Sequence, residues 1–326
     1  MLKDDALDFC RTLLDQQPTG ATALGGNSRE SVRVHFPNSS IIATKRKNSS
    51  RADMEAIVLR ELNIGGGPVP KILHYDKEWL IQEDLGDIRL SIALSKADQK
   101  TGHALLSRCL DGLSDIHRIG KERKLDKMLP IIGQKDGWLE NFIQIPERLG
   151  NHIEIPAPPL NSEELLEQLK IKAHTFLKWD TRPGNIIISN EGKPKWIDWE
   201  HCGVRNPLDD FAWLLADEYV PDWPEIEADL FESIFVNLAD GLDQENAYRY
   251  LTIFGTFHMC HRFSLVLSKK KNGPWWNIEE CLLNDRVGVF QVAATRTRNR
   301  AKRWAAENEL TAPLCPWLDK ISALIV

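Results

Sequence analysis

The chain lacks most of the features that would place it outside a reducing, aqueous compartment. Its 326 residues include six cysteines, Cys10, Cys109, Cys202, Cys260, Cys281 and Cys315, and none has a close partner in sequence. Such scatter supplies neither a disulfide framework nor a zinc ligand set. No apolar run approaches the length of a membrane span, and the opening Met1-Leu2-Lys3-Asp4-Asp5 lacks the apolar stretch of a signal peptide. A basic surplus is missing too. Lys and Arg number 41 against 47 Asp and Glu, a net charge of −6, which argues against nucleic acid as a main partner. Internal repeats and low-complexity tracts are absent. These absences predict a cytoplasmic protein with neither nucleic acid nor membrane as partner, and leave the oligomeric state open.

What is present is ordinary globular composition, 42% hydrophobic and 27% charged, in a chain long enough for two lobes with separate cores. The densest chemistry lies in residues 176–212. Asp180 and Asn185 stand five positions apart on a loop that runs into an apolar strand, Ile186–Ser189. Asn190-Glu191-Gly192-Lys193-Pro194 is turn chemistry, and Lys195–Asp198 reads as a second short strand. That hairpin predicts Asp180, Asn185 and Asp198 close together on a rigid base. Phosphoryl transfer from a nucleotide uses such a set: one carboxylate orients the acceptor hydroxyl, and a carboxylate–amide pair holds Mg²⁺ against the phosphates. The order Asp180, Asn185, Asp198 matches the kinase pattern.

The stretch resembles the aminoglycoside phosphotransferase and choline kinase family, with some likeness to bacterial amino-sugar kinases in Asp84-Leu85-Gly86-Asp87. The family's H-G-D-x-x-x-x-N corresponds to Lys178-Trp179-Asp180 through Asn185, its I-D-W-E to Ile197-Asp198-Trp199-Glu200, and its D-P-x-x-D-L-A to Asn206-Pro207-Leu208-Asp209-Asp210-Phe211-Ala212. Lys178 and Trp179 depart from the family's His and Gly. The resemblance implies an α+β, protein-kinase-like two-lobed fold. Residues 1–84 would form an antiparallel nucleotide-binding lobe, and 85–326 a helical catalytic and acceptor-binding lobe. It implies a small-molecule kinase using ATP or GTP with Mg²⁺, its acceptor an aminoglycoside, amino sugar, choline or another amino alcohol. Asp180 would be catalytic, Asn185 and Asp198 metal ligands, and Asp210 a structural brace. Two other readings stand beside it: a nucleotide-binding, pseudokinase-like regulator with little turnover, suggested by Lys178-Trp179, and a protein kinase, for which the segment between Asp198 and Asn206 is too short to hold an activation loop.

Elsewhere, 3–17 reads as an amphipathic helix, and Gly25-Gly26-Asn27-Ser28 as a turn able to cover phosphates or merely to enter a hairpin. Strands follow near 31–36 and 41–45, then a helix over 51–63. On the kinase pattern Lys45 is the phosphate-reaching lysine and Glu55 its helix partner, with Lys47 an alternative in register. Glu83, Asp84 and Leu85 are candidates for the interlobe hinge that meets the adenine edge. Periodic apolar positions predict a buried helix over 98–118, with His117 packing rather than catalysing. Residues 130–161 read as an irregular insertion, and the remainder as helices over 208–218, 224–240, 243–268, 277–306 and 314–325. On them, His258, His261 and Arg262 could be buried structure or could face an acceptor. Trp275-Trp276 could wall a substrate or pack in the core. The basic run Arg296–Arg303 reads as a solvated face. Arg182 and Glu200 are further candidates, for transferred phosphate charge and for the acceptor or a metal-bound water.

Overall fold

The computed structural model describes residues 2–24, 30–171, 174–238 and 243–325, with backbone alone for 236–238. The Gly25–Ser28 turn therefore lies outside the described residues. On either side of it, alternating sequence becomes a five-stranded antiparallel sheet, ordered Gly20–Ala23, Ser31–Phe36, Ser39–Thr44, Leu80–Glu83, Ile72–Tyr75. A two-residue turn at Pro37-Asn38 sets the central register, Phe36 opposite Ser39 and Arg33 opposite Ile42. Period-two alternation then divides the sheet. Val32, Val34, Phe36, Ile41 and Ala43 pack with Trp79 under the amphipathic helix Leu2–Leu14, through Ala6 and Cys10. Arg33, Ile42, Thr44 and Gln82 face the opposite way, into a cleft.

The helix Ser49–Ile64 begins at Asn48, whose side chain accepts the Arg51 N–H, and stops at the glycines that follow, Gly66 having φ 74°. It buries Val58, Leu59 and Leu62 against the main core, which is shared with the helical part of the chain. The long helix Gln99–Glu122 buries the predicted periodic face, Leu106, Cys109, Leu110, Leu113 and Ile116. Two more long helices, Gln244–Lys270 and Gln291–Ala306, pack together where Gly255 leaves room for the Trp304 indole; a Cβ there would sit 2.1 Å from the ring.

Three sequence-based expectations change. Residues 130–161 are not wholly irregular: they hold the short helices Trp138–Ile143 and Ile145–His152, the second with Pro146 in its first turn. The single helix expected over 277–306 is two, Ile278–Leu283 and Gln291–Ala306. It breaks because Asp285 takes φ 48° and Gly288 lies too close to Glu218 for a side chain. An unforeseen strand, Thr175–Leu177, pairs with Gly203–Arg205. The cysteines are unpaired, and all but Cys315 are buried. Among the described residues no helix is long and apolar enough to cross a membrane.

Candidate active site

Residues 178–185 form a loop anchored at both ends. Before it, Thr175–Leu177 pairs with Gly203–Arg205; after it, Ile186–Ile188 pairs with Pro194–Trp196. The second hairpin continues with the Ile197 N–H donating to the Asn185 carbonyl at 3.0 Å, which sets Asp198 beside the loop. Within the loop, Asn185 Nδ2 donates 2.9 Å to Asp180 Oδ2. Trp179, Asp180 and Asp198 have φ of 55°, 45° and 61°. The left-handed region costs an L-residue roughly 1–2 kcal/mol, so the surrounding bonds must hold these three in place.

One carboxylate does much of that holding. Asp210 is fully buried; its Oδ1 accepts the Trp179 N–H at 2.8 Å, and its Oδ2 accepts the Lys178 N–H at 2.9 Å and faces His117 Nε2 at 2.8 Å. Its carbonyl accepts from Thr181 Oγ1 at 2.5 Å. The expected bracing part of Asp210 and the hydrogen-bonding part of His117 coincide in one contact. Lys178 is also fully buried. Its ammonium pairs with no carboxylate at hydrogen-bond distance; it donates to the Asp198 carbonyl at 2.8 Å and reaches the Asp180 carbonyl at 3.4 Å, with the Trp199 ring 5.4 Å away. Burial pulls its pKa below the usual lysine value, against the opposing pull of Asp180, Asp198 and Asp210. A lysine thus ties the two arms of the site together through their backbones.

Opposite the loop, the sequence-based pairing needs correction. Lys45 does not reach Glu55. Its ammonium pairs with Glu78 at 2.5 Å, 5.3 Å from the Trp79 ring centroid and on the partly exposed far side of the sheet. Arg46 stands in the expected place: Nε donates to Glu55 at 2.9 Å, Nη2 to Asp198 at 2.8 Å, and Nη1 lies 3.3 Å from Glu200. The signal was in the strand alternation, since Ile42 and Thr44 face the cleft and residue 46 follows them. Glu55 also accepts the Trp199 N–H at 3.2 Å. Burial raises the Glu55 pKa against the pull of Arg46. At Asp198 burial also pushes upward, but Arg46 and Lys178 outweigh it and the pKa is lowered.

Sheet and loop enclose a cavity of about 890 Å³, whose lining includes Thr44, Arg46, Glu55, Asn185, Asp198 and Glu200. Glu83, Asp84 and Leu85 line it as well. The Asp84 carboxylate is committed to Arg33 at 2.6 Å and Ser40 at 2.5 Å, and Glu83 to Lys195 at 2.7 Å. The Glu83 and Asp84 side chains of this segment are thus already committed to protein partners.

Asp285 is a residue that sequence reasoning missed. It lies 2.8 Å from Arg182 and 3.3 Å from Arg89, so the 284–288 connection grips the loop from the side. Arg182 in turn is 3.5 Å from Asp180. The Asn-Asp-Arg-Val-Gly sequence of that connection was a turn signal inside an otherwise helical reading. Deeper in, Arg262 grips Glu218, with Asp217 3.7 Å away. Trp276 packs with Tyr219, Cys281 and Phe290, and Trp275 beside the main core. The basic run is not uniformly solvated, because Arg300 is buried and pairs with Glu227 at 2.8 Å.

The model of the phosphotransferase enzyme family (APH) matches residues 20–245. No curated protein matches the chain in sequence. Solved structures with a similar fold include a GDP complex of a mutant aminoglycoside 2'-phosphotransferase-IIIa, with a TM-score of 0.59, 13% identity and coverage of 94% of this chain and 98% of that one. The macrolide 2'-phosphotransferase MphH from Brachybacterium faecium follows at 0.57 and 13%, covering 90% and 98%. The choline kinase LicA from Streptococcus pneumoniae gives 0.52 and 14%, covering 93% and 98%. At such identities the likeness to these structures is one of fold. With most of its length matched by the family model, the chain belongs to the phosphotransferase enzyme family.

Proposed function

We propose that the protein transfers the γ-phosphoryl group of ATP or GTP to a hydroxyl of a small molecule, with the nucleotide between the 1–84 and 85–326 segments. The observation that carries this is the meeting of Asn185 and Asp198 with the Arg46–Glu55 pair around one cavity, with Asp180 hydrogen-bonded to Asn185. In the transfer, an acceptor oxygen forms its bond to the γ-phosphorus as the bond to the nucleoside diphosphate breaks. Asp180 orients the hydroxyl and takes its proton. Arg182, beside Asp180, faces the charge of the moving phosphoryl group. Arg46 leaves part of its carboxylate network to meet the nucleotide phosphates, its planar fork suiting two oxygens at once.

The donor set fits Mg²⁺. Asp198 and Asn185 offer one carboxylate and one amide oxygen, and Mg²⁺ characteristically takes few protein ligands and completes its shell with phosphate and water. Among the described residues no cluster of three or more His, Cys, Asp or Glu could hold a metal alone, consistent with an ion that arrives with a nucleotide. When bound, Mg²⁺ would neutralise phosphate charge.

The test is acceptor-dependent ADP or GDP release by wild type and Asp180→Asn, with aminoglycosides, amino sugars, choline and ethanolamine offered with each nucleotide. Turnover in wild type should fall by about 10²–10⁴-fold in the variant, the usual contribution of a positioned base. Nucleotide binding without any acceptor-dependent release would favour the regulator reading.

A further inference from the structure

Trp179, immediately before Asp180, begins an aromatic face. Its partly exposed ring lies 5.2 Å from Trp213 and 6.1 Å from Trp138, and Trp213 lies 4.2 Å from His258. His261 continues the series at 6.5 Å from His258. Two ring nitrogens in this group, Trp213 Nε1 and His258 Nε2, are buried with no hydrogen-bond partner among the described residues. Buried polar atoms normally have one, so a ligand hydroxyl or a trapped water is their natural complement.

Four buried carboxylates in this part of the molecule are already matched. Glu218 and Asp217 are met by Arg262, Asp285 by Arg182, and Asp209 by Arg205 at 2.6 Å. Burial, followed by Arg262, lowers the pKa of both His258 and His261, with His261 acting further on His258 and Arg148 on His261. Asp180 itself lies within the fields of Lys178, Arg182 and Arg262. A ligand with several ammonium groups would find matched carboxylates here and would meet the arginines instead. An uncharged ring compound loses no such hydration and gains aromatic contact.

Resting on the phosphotransferase reading, we infer that the acceptor is an uncharged hydroxyl compound with an apolar ring face, stacked on Trp179 and Trp213 with its reacting hydroxyl at Asp180. One of the two residues that depart from the family's pattern thereby becomes the specificity determinant. Trp179→Gly is the informative variant, because glycine accepts φ 55° and removes only the indole.

The experiment uses the full chain with Mg²⁺ and ATP. Binding and ADP release are measured with a panel of uncharged aryl glycosides (para-nitrophenyl glucoside among them) and nucleosides, and with kanamycin and choline as cationic comparators. Expected is binding and turnover with members of the uncharged set, a KM about tenfold higher in Trp179→Gly with ATP affinity unchanged, and a smaller rise in Trp213→Phe, which keeps the ring and loses the N–H. Preferred turnover of kanamycin or choline would overturn the inference, as would an acceptor KM indifferent to Trp179→Gly or a failure of every uncharged compound to bind. Failure of the underlying reading looks different: no compound of either set, charged or uncharged, would provoke ADP release, whether or not ATP binds.

Discussion

The two sides of the cleft hold their functional groups by opposite means. On the sheet side one long, flexible arginine, Arg46, spans Glu55, Asp198 and Glu200 at the edge of open space. On the loop side one short, buried carboxylate, Asp210, takes backbone N–H groups and an imidazole. An arginine shared among carboxylates can exchange one partner for a phosphate, because its five donors need not all stay with the same groups. A carboxylate bound to backbone N–H groups has no such freedom without distorting the chain. On the proposed function, the part that admits a nucleotide is adjustable and the part that aims Asp180 is fixed.

Breaking the fixed side should have the larger effect. Asp210→Ala strands the Lys178 and Trp179 N–H groups and His117 in a buried place. It should lower stability by about 3 kcal/mol or more, read as a denaturant midpoint, and abolish acceptor-dependent nucleotide turnover in whatever remains folded. On the adjustable side, Arg46→Met should weaken nucleotide binding about 10–100-fold by calorimetry, and should also lower stability because it leaves the buried Glu55 carboxylate without its cation. Arg46→Lys should fall between, since a point charge cannot span three carboxylates.

Lys178, which joins the Asp180 loop to the Asp198 hairpin, gives the fixed side a pH signature. Its folded pKa lies below the ordinary 10.5, so between those values the unfolded chain binds more protons than the folded one. Stability therefore rises with pH through that interval. Lys178→Met should remove that rise from unfolding midpoints measured toward 10.5, and a wild-type profile that is flat there would show the lysine's charge costs nothing. The smallest effect belongs to Lys45→Ala. With its partner Glu78 well exposed, the change should leave both stability and nucleotide affinity nearly unchanged. A large loss of affinity would restore to Lys45 the part assigned here to Arg46.

Much of this was legible in sequence because it is carried by local spacing. The interval from Asp180 to Asn185, the turn before Asp198 and the apolar period of 98–118 each depend on neighbours in the chain. The sheet-side residue was nearly legible. Alternation through Ile42 and Thr44 points to Arg46, but attention to lysine, the residue type of the kinase pattern, led to Lys45. Asp285 was not legible in the same way. It contacts the loop from 103 residues away, and a turn signal says where a chain bends without saying what it bends toward. Nor could spacing reveal that the Lys178 ammonium would seek carbonyl oxygens, since that depends on which groups close over it.

The grip of Asp285 on Arg182 also sets an order of events during synthesis. A ribosome makes the Asp180–Asn185 loop well before it makes the 284–288 connection, and Arg262 too comes after the loop. If the sheet and loop form as their segments emerge, the nascent chain holds them for a time before Asp285 is there to meet Arg182. A contact that steadies the residue beside Asp180 thus depends on a late-made segment. Competence to move phosphate would then arrive late in translation, when the helices around the acceptor are present as well.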